Sequence, residues 1–280
     1  MKAVCLVLLL VFTSTFAWAN GVPPGPDPRR GEGGSTARGE AAPPSEGGTR
    51  VALELVLAVD VSTSVSAEEF ALQRIGLFRA FRDPAVRTSV MSHPTGIAVS
   101  VVHWAGNGRQ RVAVDWTHLT DEASLDRFSR KLGAMRRLTG GFTDIAGAVR
   151  FSRESLLQNA FRGDRLVIDV SGDGIADQGS PPTARDEALA DGIVINGLAI
   201  LPASASSGEA LLAHYRFDVT GGPGSFVIAA SSFEDFSRAM REKLIREISG
   251  PAFAREPAPS NGAAVAVRSP VPSTGTGGAL

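Results

Sequence analysis

Four nearly continuous apolar runs, Leu53–Val59, Ile97–Trp104, Arg165–Val170 and Ile193–Leu201, alternate with stretches whose apolar residues recur at helical spacing. Strands that are apolar along their whole length need cover on both faces, and the amphipathic segments between them can supply it. The pattern predicts an α/β fold: a doubly wound, mostly parallel six-stranded sheet with helices on both faces. Val112–Trp116 alternates as a half-exposed antiparallel edge strand would, and Ser225–Ala229 is a last short strand. Helices are expected over Ala67–Arg82, from Asp121 or Glu122 to Met135, and over Asp144–Asn159, Thr183–Asp191 and Phe233–Ile248. Ser66 with Glu69 is a capping-box pattern before the first of these, and Gly192 is a stop after the fourth. Gly221-Gly222-Pro223-Gly224 reads as a tight turn into the last strand.

The two ends of the chain do not share this pattern. Met1 and Lys2 precede a short apolar stretch that closes with Ala17-Trp18-Ala19, the layout of a cleaved secretory signal peptide over residues 1–19. That stretch is too short to span a bilayer comfortably, so no stable membrane span is expected after cleavage. Residues 20–48 and 251–280, rich in Gly, Pro, Ser and Ala, are expected to be a disordered linker and a disordered tail around one domain at 49–250. The one cysteine, Cys5, lies inside the signal, so the mature chain has no thiolate and no disulfide. Together these features place the protein in the periplasm or outside the cell, exported from a bacterium with a core large enough to need no disulfide. Net charge is −1, Lys occurs only at 2, 131 and 243, and no basic stripe carries interleaved aromatics, which argues against nucleic-acid binding. The polar helices suggest a monomer until a partner binds.

Ligands of such sheets sit beyond the carboxyl ends of the strands. Asp60-Val61-Ser62-Thr63-Ser64 follows the first strand, and Ser171-Gly172-Asp173-Gly174 follows the Arg165–Val170 strand. Thr143 closes Gly140-Gly141-Phe142-Thr143 just before a helix. Their carboxylates and hydroxyls are hard oxygen ligands of the kind that suits Mg²⁺, with Mn²⁺ or Ca²⁺ as alternatives.

These three pieces together resemble the metal-ion-dependent adhesion site of von Willebrand factor type A domains, and the resemblance covers about Ala52 to Ile248. Val167–Gly174 and Gly221–Gly224 look like a bacterial exported branch of that superfamily, a domain of unknown function, which implies a fold but no activity. The resemblance implies that Ser62, Ser64 and Thr143 touch a divalent cation directly, while Asp60 and Asp173 act through water or hydrogen bonds. Neutral hydroxyls leave the ion electron-poor, so that it draws an exposed Asp or Glu from a partner protein. Two features depart from the family pattern. Gly172 stands between Ser171 and Asp173, where the family has a Ser or Thr directly before its Asp, and Asp144 adds a charge after Thr143. Asp169, inside the strand, is expected to be a buried, hydrogen-bonded carboxylate.

Other chemistry has less support. His93, His103, His118 and His214 show no zinc spacing and read as satisfied or surface histidines. There is no Gly-x-Ser-x-Gly elbow and no phosphate loop. A phosphatase-type nucleophile at Asp60 would want a second acid two residues on, where Ser62 stands. Trp104 and Trp116 read as packing residues. The expected function is a non-catalytic, metal-dependent protein-binding domain for adhesion or assembly. A metal-dependent hydrolase using the same pocket, or a scaffold with an empty site, are the alternatives.

Overall fold

The structure is a computed structural model that describes residues 47–106, 108–137 and 140–250. The expected signal peptide and tail, and the linker up to residue 46, lie outside the described residues. The elements run β1 (Thr49–Val51), β2 (Leu53–Asp60), α1 (Ala67–Ala80), α2 (Pro84–Met91), β3 (Ile97–Trp104), β4 (Arg111–Leu119), α3 (Glu122–Gly133) and α4 (Ile145–Leu157). They continue with β5 (Phe161–Gly163), β6 (Leu166–Gly172), α5 (Pro181–Ala190), β7 (Ile193–Ile200), α6 (Ala205–His214), a π-helical turn (Tyr215–Val219), β8 (Val227–Ala230) and α7 (Phe236–Ser249).

The main sheet has the order β4-β3-β2-β6-β7-β8, with β3 and β4 antiparallel and every other pair parallel. This is the six-stranded, mostly parallel sheet that the apolar runs predict. The strands divide their side chains between two cores. Leu53, Leu55, Leu57 and Val59 of β2 pack with α1, α2, α3 and α7, while Val56 and Ala58 pack with α4, α5, α6 and Tyr215. Each β2 residue is buried, because both faces carry helices. Ser66 caps α1 as expected: Glu69 N donates to Ser66 Oγ at 3.1 Å and Ser66 N donates to Glu69 Oε2 at 2.7 Å.

Several elements extend the sequence reading. β1 and β5 form a separate two-stranded parallel sheet that ties the start of the domain to the strand following α4. α2 starts at Asp83, whose Oδ1 accepts from Ala85 N at 2.9 Å, with Pro84 at the first helical position. The edge strand β4 runs to Leu119, longer than its alternating segment suggested. Of the packing tryptophans, Trp104 is fully buried, and Trp116 donates from Nε1 to Ser155 Oγ at 3.1 Å.

The chain winds outward from β2 in both directions, through β3 to β4 on one side and through β6 and β7 to β8 on the other. The crevice at such a reversal lies past the carboxyl ends of the central strands. Asp60 ends β2, and Asp173 follows the last residue of β6.

Candidate metal centre

Asp60 is fully buried at the end of β2. Its Oδ1 accepts from Ser62 N at 2.7 Å, which turns the chain so that Ser62 and Ser64 face the same way. From below, Gln73 of α1 donates from Nε2 to the Asp60 carbonyl at 3.2 Å. Ser62 Oγ and Ser64 Oγ are 3.0 Å apart, and Ser64 Oγ donates to Asp173 Oδ1 at 2.8 Å. The first and last pieces of the candidate site therefore touch directly.

The threonine loop is fastened to the same turn. Thr63 N and Thr63 Oγ1 donate to Gly141 O at 3.0 and 2.9 Å, and Gly141 N donates back to Thr63 Oγ1 at 3.0 Å. Gly141 has φ of +134°, and a Cβ there would lie 3.0 Å from Gly106 O, so only glycine suits this close approach. Thr143 N donates to Asp177 Oδ1 at 2.9 Å, and Asp177 N donates to Thr143 O at 3.1 Å. A Cβ on Gly174 would lie 3.2 Å from Thr143 Oγ1, which places that hydroxyl against the loop that carries Asp173. Arg137 Nη2 donates to the carbonyl of Ser62 at 3.2 Å and also to that of Val65. Thr63, Asp177 and Arg137 were not singled out in the sequence. Thr63 was readable in principle, since it sits between two residues that face the site.

Gly172 extends β6 by one residue without moving Asp173 away. A Cβ at Gly172 would lie 2.8 Å from both Asp60 Oδ2 and Tyr215 Oη and 3.1 Å from Trp104 Cζ2. A Cβ at Gly197, on neighbouring β7, would lie 2.7 Å from Tyr215 Cδ1. The two glycines thus leave the slot that the fully buried Tyr215 fills beneath the site. Gly172→Ala should overpack this slot and cost about 1–3 kcal/mol, read as a lowered urea midpoint with an unchanged m-value. Asp144 stands apart from the cluster as the cap of α4: its Oδ1 accepts from Gly147 N at 2.7 Å. Asp169 is buried as expected, but its partner is an ion: Lys243 Nζ lies 2.9 Å from Asp169 Oδ1.

The electrostatics of the cluster favour a cation. Asp60 Oδ2 is buried and has no hydrogen-bond partner among the described residues. Burial pushes the Asp60 carboxyl up to about 7, against the hydrogen bonds from Ser62, and the charge of Asp173 pushes the same way. Burial also raises Asp173, opposed by the Ser64 hydrogen bond and reinforced by Glu69. Two carboxylates that feel one another's charge thus both have their charged forms penalised, which a positive ion beside them would relieve. Among the described residues no group of three or more His, Cys, Asp or Glu could hold a metal ion, so any cation here would depend on hydroxyl oxygens. A site of two acids and three hydroxyls fits a hard divalent cation.

Of the histidines, His93 Nε2 lies 2.8 Å from Ile248 O and His118 Nε2 lies 2.9 Å from Thr95 O. His214 Nδ1 lies 2.8 Å from Asp218 Oδ2, and Ala176 N donates to its Nε2 at 3.2 Å. His103 corrects the reading that all four are satisfied or exposed: it is fully buried, and neither ring nitrogen has a partner among the described residues.

Solved structures of other proteins share this α/β fold. Proximal thread matrix protein 1 from the mussel byssus matches with TM-score 0.50 and 15% identity, over 71% of this chain and 48% of that one. The pilus adhesin SpaC from Lactobacillus rhamnosus GG, in its open conformation, matches with TM-score 0.52 and 13% identity, over 70% of this chain and 30% of that one. This chain therefore spans about half of the mussel protein and about a third of the adhesin. A further structure of the mussel protein, with TM-score 0.48 and 16% identity over 72% of this chain and 46% of that one, is described as having a zinc-occupied MIDAS motif. Residues 50–252 match the family described as "Protein of unknown function (DUF1194)", and the chain belongs to that family. No curated protein matches it.

Proposed function

We propose that this domain is an exported, metal-dependent protein-binding module that holds a divalent cation, Mg²⁺ by preference, and presents it to an acidic group of a partner. The carrying observation is the continuous chain from Ser62 Oγ through Ser64 Oγ to Asp173 Oδ1, beside the unpartnered Oδ2 of Asp60. In this reading the hydroxyls of Ser62, Ser64 and Thr143 are the direct ligands, and Asp60 and Asp173 orient them and balance charge. Bound there, the cation supplies an open coordination position for an Asp or Glu side chain. Asp60 and Ser62 form a buried floor, while Ser64 is exposed, so the open side faces solvent.

The rim supports a protein ligand. Phe142, beside Thr143, is 55% exposed, and Ile175, two residues after Asp173, is 50% exposed. Large apolar side chains kept in water next to a polar floor suit a carboxylate flanked by apolar groups. A non-catalytic role is favoured because, among the described residues, Ser62 Oγ pairs with Ser64 Oγ and Ser64 Oγ donates to Asp173, and neither meets a histidine that could activate it. We place the protein in the bacterial envelope or outside it, behind the signal peptide at 1–19. No helix of the described residues is long and apolar enough to cross a membrane.

The test is co-purification from envelope extracts with and without chelator. A partner should be retained with Mg²⁺ and lost with EDTA or in Ser62→Ala. Phe142→Ala should weaken retention roughly fivefold or more while leaving metal affinity unchanged. Equal retention under chelation would rule out a metal-bridged contact.

A further inference from the structure

At the pole of the sheet opposite the candidate metal centre, where β6 and β7 begin, lies a cavity of about 380 Å³. Its lining includes Arg165, Val167, Val194, Phe226 and Arg246. Val167 and Val194 are register partners on adjacent parallel strands, so their side chains leave the sheet on the same face. Val194 and Phe226 are only half-buried. The two arginines wall the cavity and are already engaged. The Arg246 guanidinium lies over the Phe226 ring at 3.8 Å, and Arg165 Nη2 donates to Ile248 O at 3.0 Å. What the cavity offers an occupant is therefore chiefly apolar and aromatic surface.

The path of the chain carries the second observation. α7 ends beside this cavity, since Arg246 and Glu247 near its end line it. Gly250 follows with φ of +74°, and a Cβ on it would lie 3.1 Å from Arg165 Nη1 and 3.2 Å from Arg165 Cζ. The backbone thus leaves α7 against a wall of the cavity. The next residues, Pro251-Ala252-Phe253-Ala254, are uncharged, and Arg255 and Glu256 follow them. Phe253 stands three residues beyond Gly250, within about 10 Å of extended chain. The family match also runs through Ala252, past the end of α7.

We propose that residues 251–254 turn back onto the domain and seat the Phe253 ring in this cavity, against Val167, Val194 and Phe226. An uncharged segment with one aromatic ring suits apolar surface flanked by a stacked guanidinium. The contact is intramolecular, with an effective concentration in the millimolar range, so a modest affinity suffices to close it. Seated in this way, the segment covers the half-buried Val194 and Phe226. It also fixes where the rest of the chain departs, at the pole away from the Ser62–Ser64 site.

The experiment is nuclear Overhauser spectroscopy on the full mature chain, residues 20–280, with methyl-labelled valine and protonated phenylalanine rings. EDTA is present throughout, so that no cation at the Ser62–Ser64 site takes part, and failure here leaves the metal reading untouched. The expected result is a set of contacts from the Phe253 ring to the methyl groups of Val167 and Val194, lost in Phe253→Ala. The same variant should lower the thermal midpoint by about 3–6 °C, the loss of one buried aromatic side chain in a domain of this size. Val265→Ala, further along the tail, should change neither signal. Mixing differently labelled molecules tests a second copy as the occupant, and titrating the wild-type chain with decanoate tests a free amphiphile. Contacts that survive in Phe253→Ala, an unchanged midpoint, contacts only between different molecules, or a saturable decanoate shift of the Val194 methyls that leaves Phe253 unmoved would each overturn the proposal.

Discussion

Millimolar Mg²⁺ or Mn²⁺ should raise the thermal midpoint of the domain by about 5–10 °C at pH 8. A ligand at a hundredfold its dissociation constant contributes about 2.7 kcal/mol, and each kcal/mol moves a domain of this size by about 2–4 °C. The pH dependence has a definite sign. The folded Asp60 carboxyl titrates near 7, above its ordinary 3.8, chiefly because it is buried. A raised acid binds its proton more tightly in the folded state, so its contribution is fully present below about pH 4 and is lost as pH rises through 7. The metal-free domain should therefore lose stability between about pH 4 and 7, and the metal increment should be largest above 7, where Asp60 is charged. Asp60→Asn should flatten the metal-free profile over that window and abolish the response to metal. Differential scanning calorimetry at pH 5 and 8, with and without Mg²⁺, reads both effects.

Lys243→Met should destabilise the domain by about 3–5 kcal/mol at pH 8, because it strands buried carboxylates. Lys243 is fully buried, pairs with Asp169 at 2.9 Å and also contacts Glu247, whose Oε1 accepts from Asn196 Nδ2 at 3.0 Å. Burial already pushes the Asp169 carboxyl up to about 7, and Lys243 opposes that rise. Without Lys243 the folded state should favour the protonated acid still more, so the loss should shrink at pH 5, where protonation removes the stranded charge. Replacing Asp169 and Glu247 with apolar residues in the same variant should recover much of the stability, since a buried ion cluster is worth little against good apolar packing. Urea unfolding at the two pH values measures the loss. A loss that is the same at both pH values would show that Lys243 acts through packing alone.

Much of this architecture was legible because burial on both faces writes itself into composition. β2, β3, β6 and β7 are apolar nearly throughout, and no other arrangement of such runs between amphipathic segments covers them as well. The elements that were missed lack that signature. α6 is built from Ala-Ser-Ser-Gly-Glu-Ala-Leu-Leu-Ala-His, whose start looks like a loop, and β1 and β5 have three residues each. Asp83-Pro84 did announce the start of α2, but eight residues are too few for a periodic pattern to stand out.

At the site, the sequence could place Asp60, Ser62, Ser64 and Asp173 after the carboxyl ends of two strands that the topology makes neighbours, and Thr143 in the loop before α4. It could not weigh Gly172, whose meaning depends on Tyr215 arriving from the π-helical turn on another element. The same holds for His103. It is buried with Phe70 of α1 packed edge-on against its ring, and nothing next to it in the chain records that. Of the two lysines beyond the signal segment, Lys243 is buried beside Asp169 and Glu247, and Lys131 is exposed on α3.

The central claim is that hydroxyls from two loops hold a divalent cation over the Asp60 and Asp173 carboxylates. The most direct measurement is an anomalous difference map from crystals grown with Mn²⁺. The account predicts one strong peak within coordination distance, about 2.0–2.6 Å, of Ser62 Oγ, Ser64 Oγ and Thr143 Oγ1, and its loss in Ser62→Ala. No peak among those three oxygens at saturating Mn²⁺, or a peak held by other residues, would contradict it.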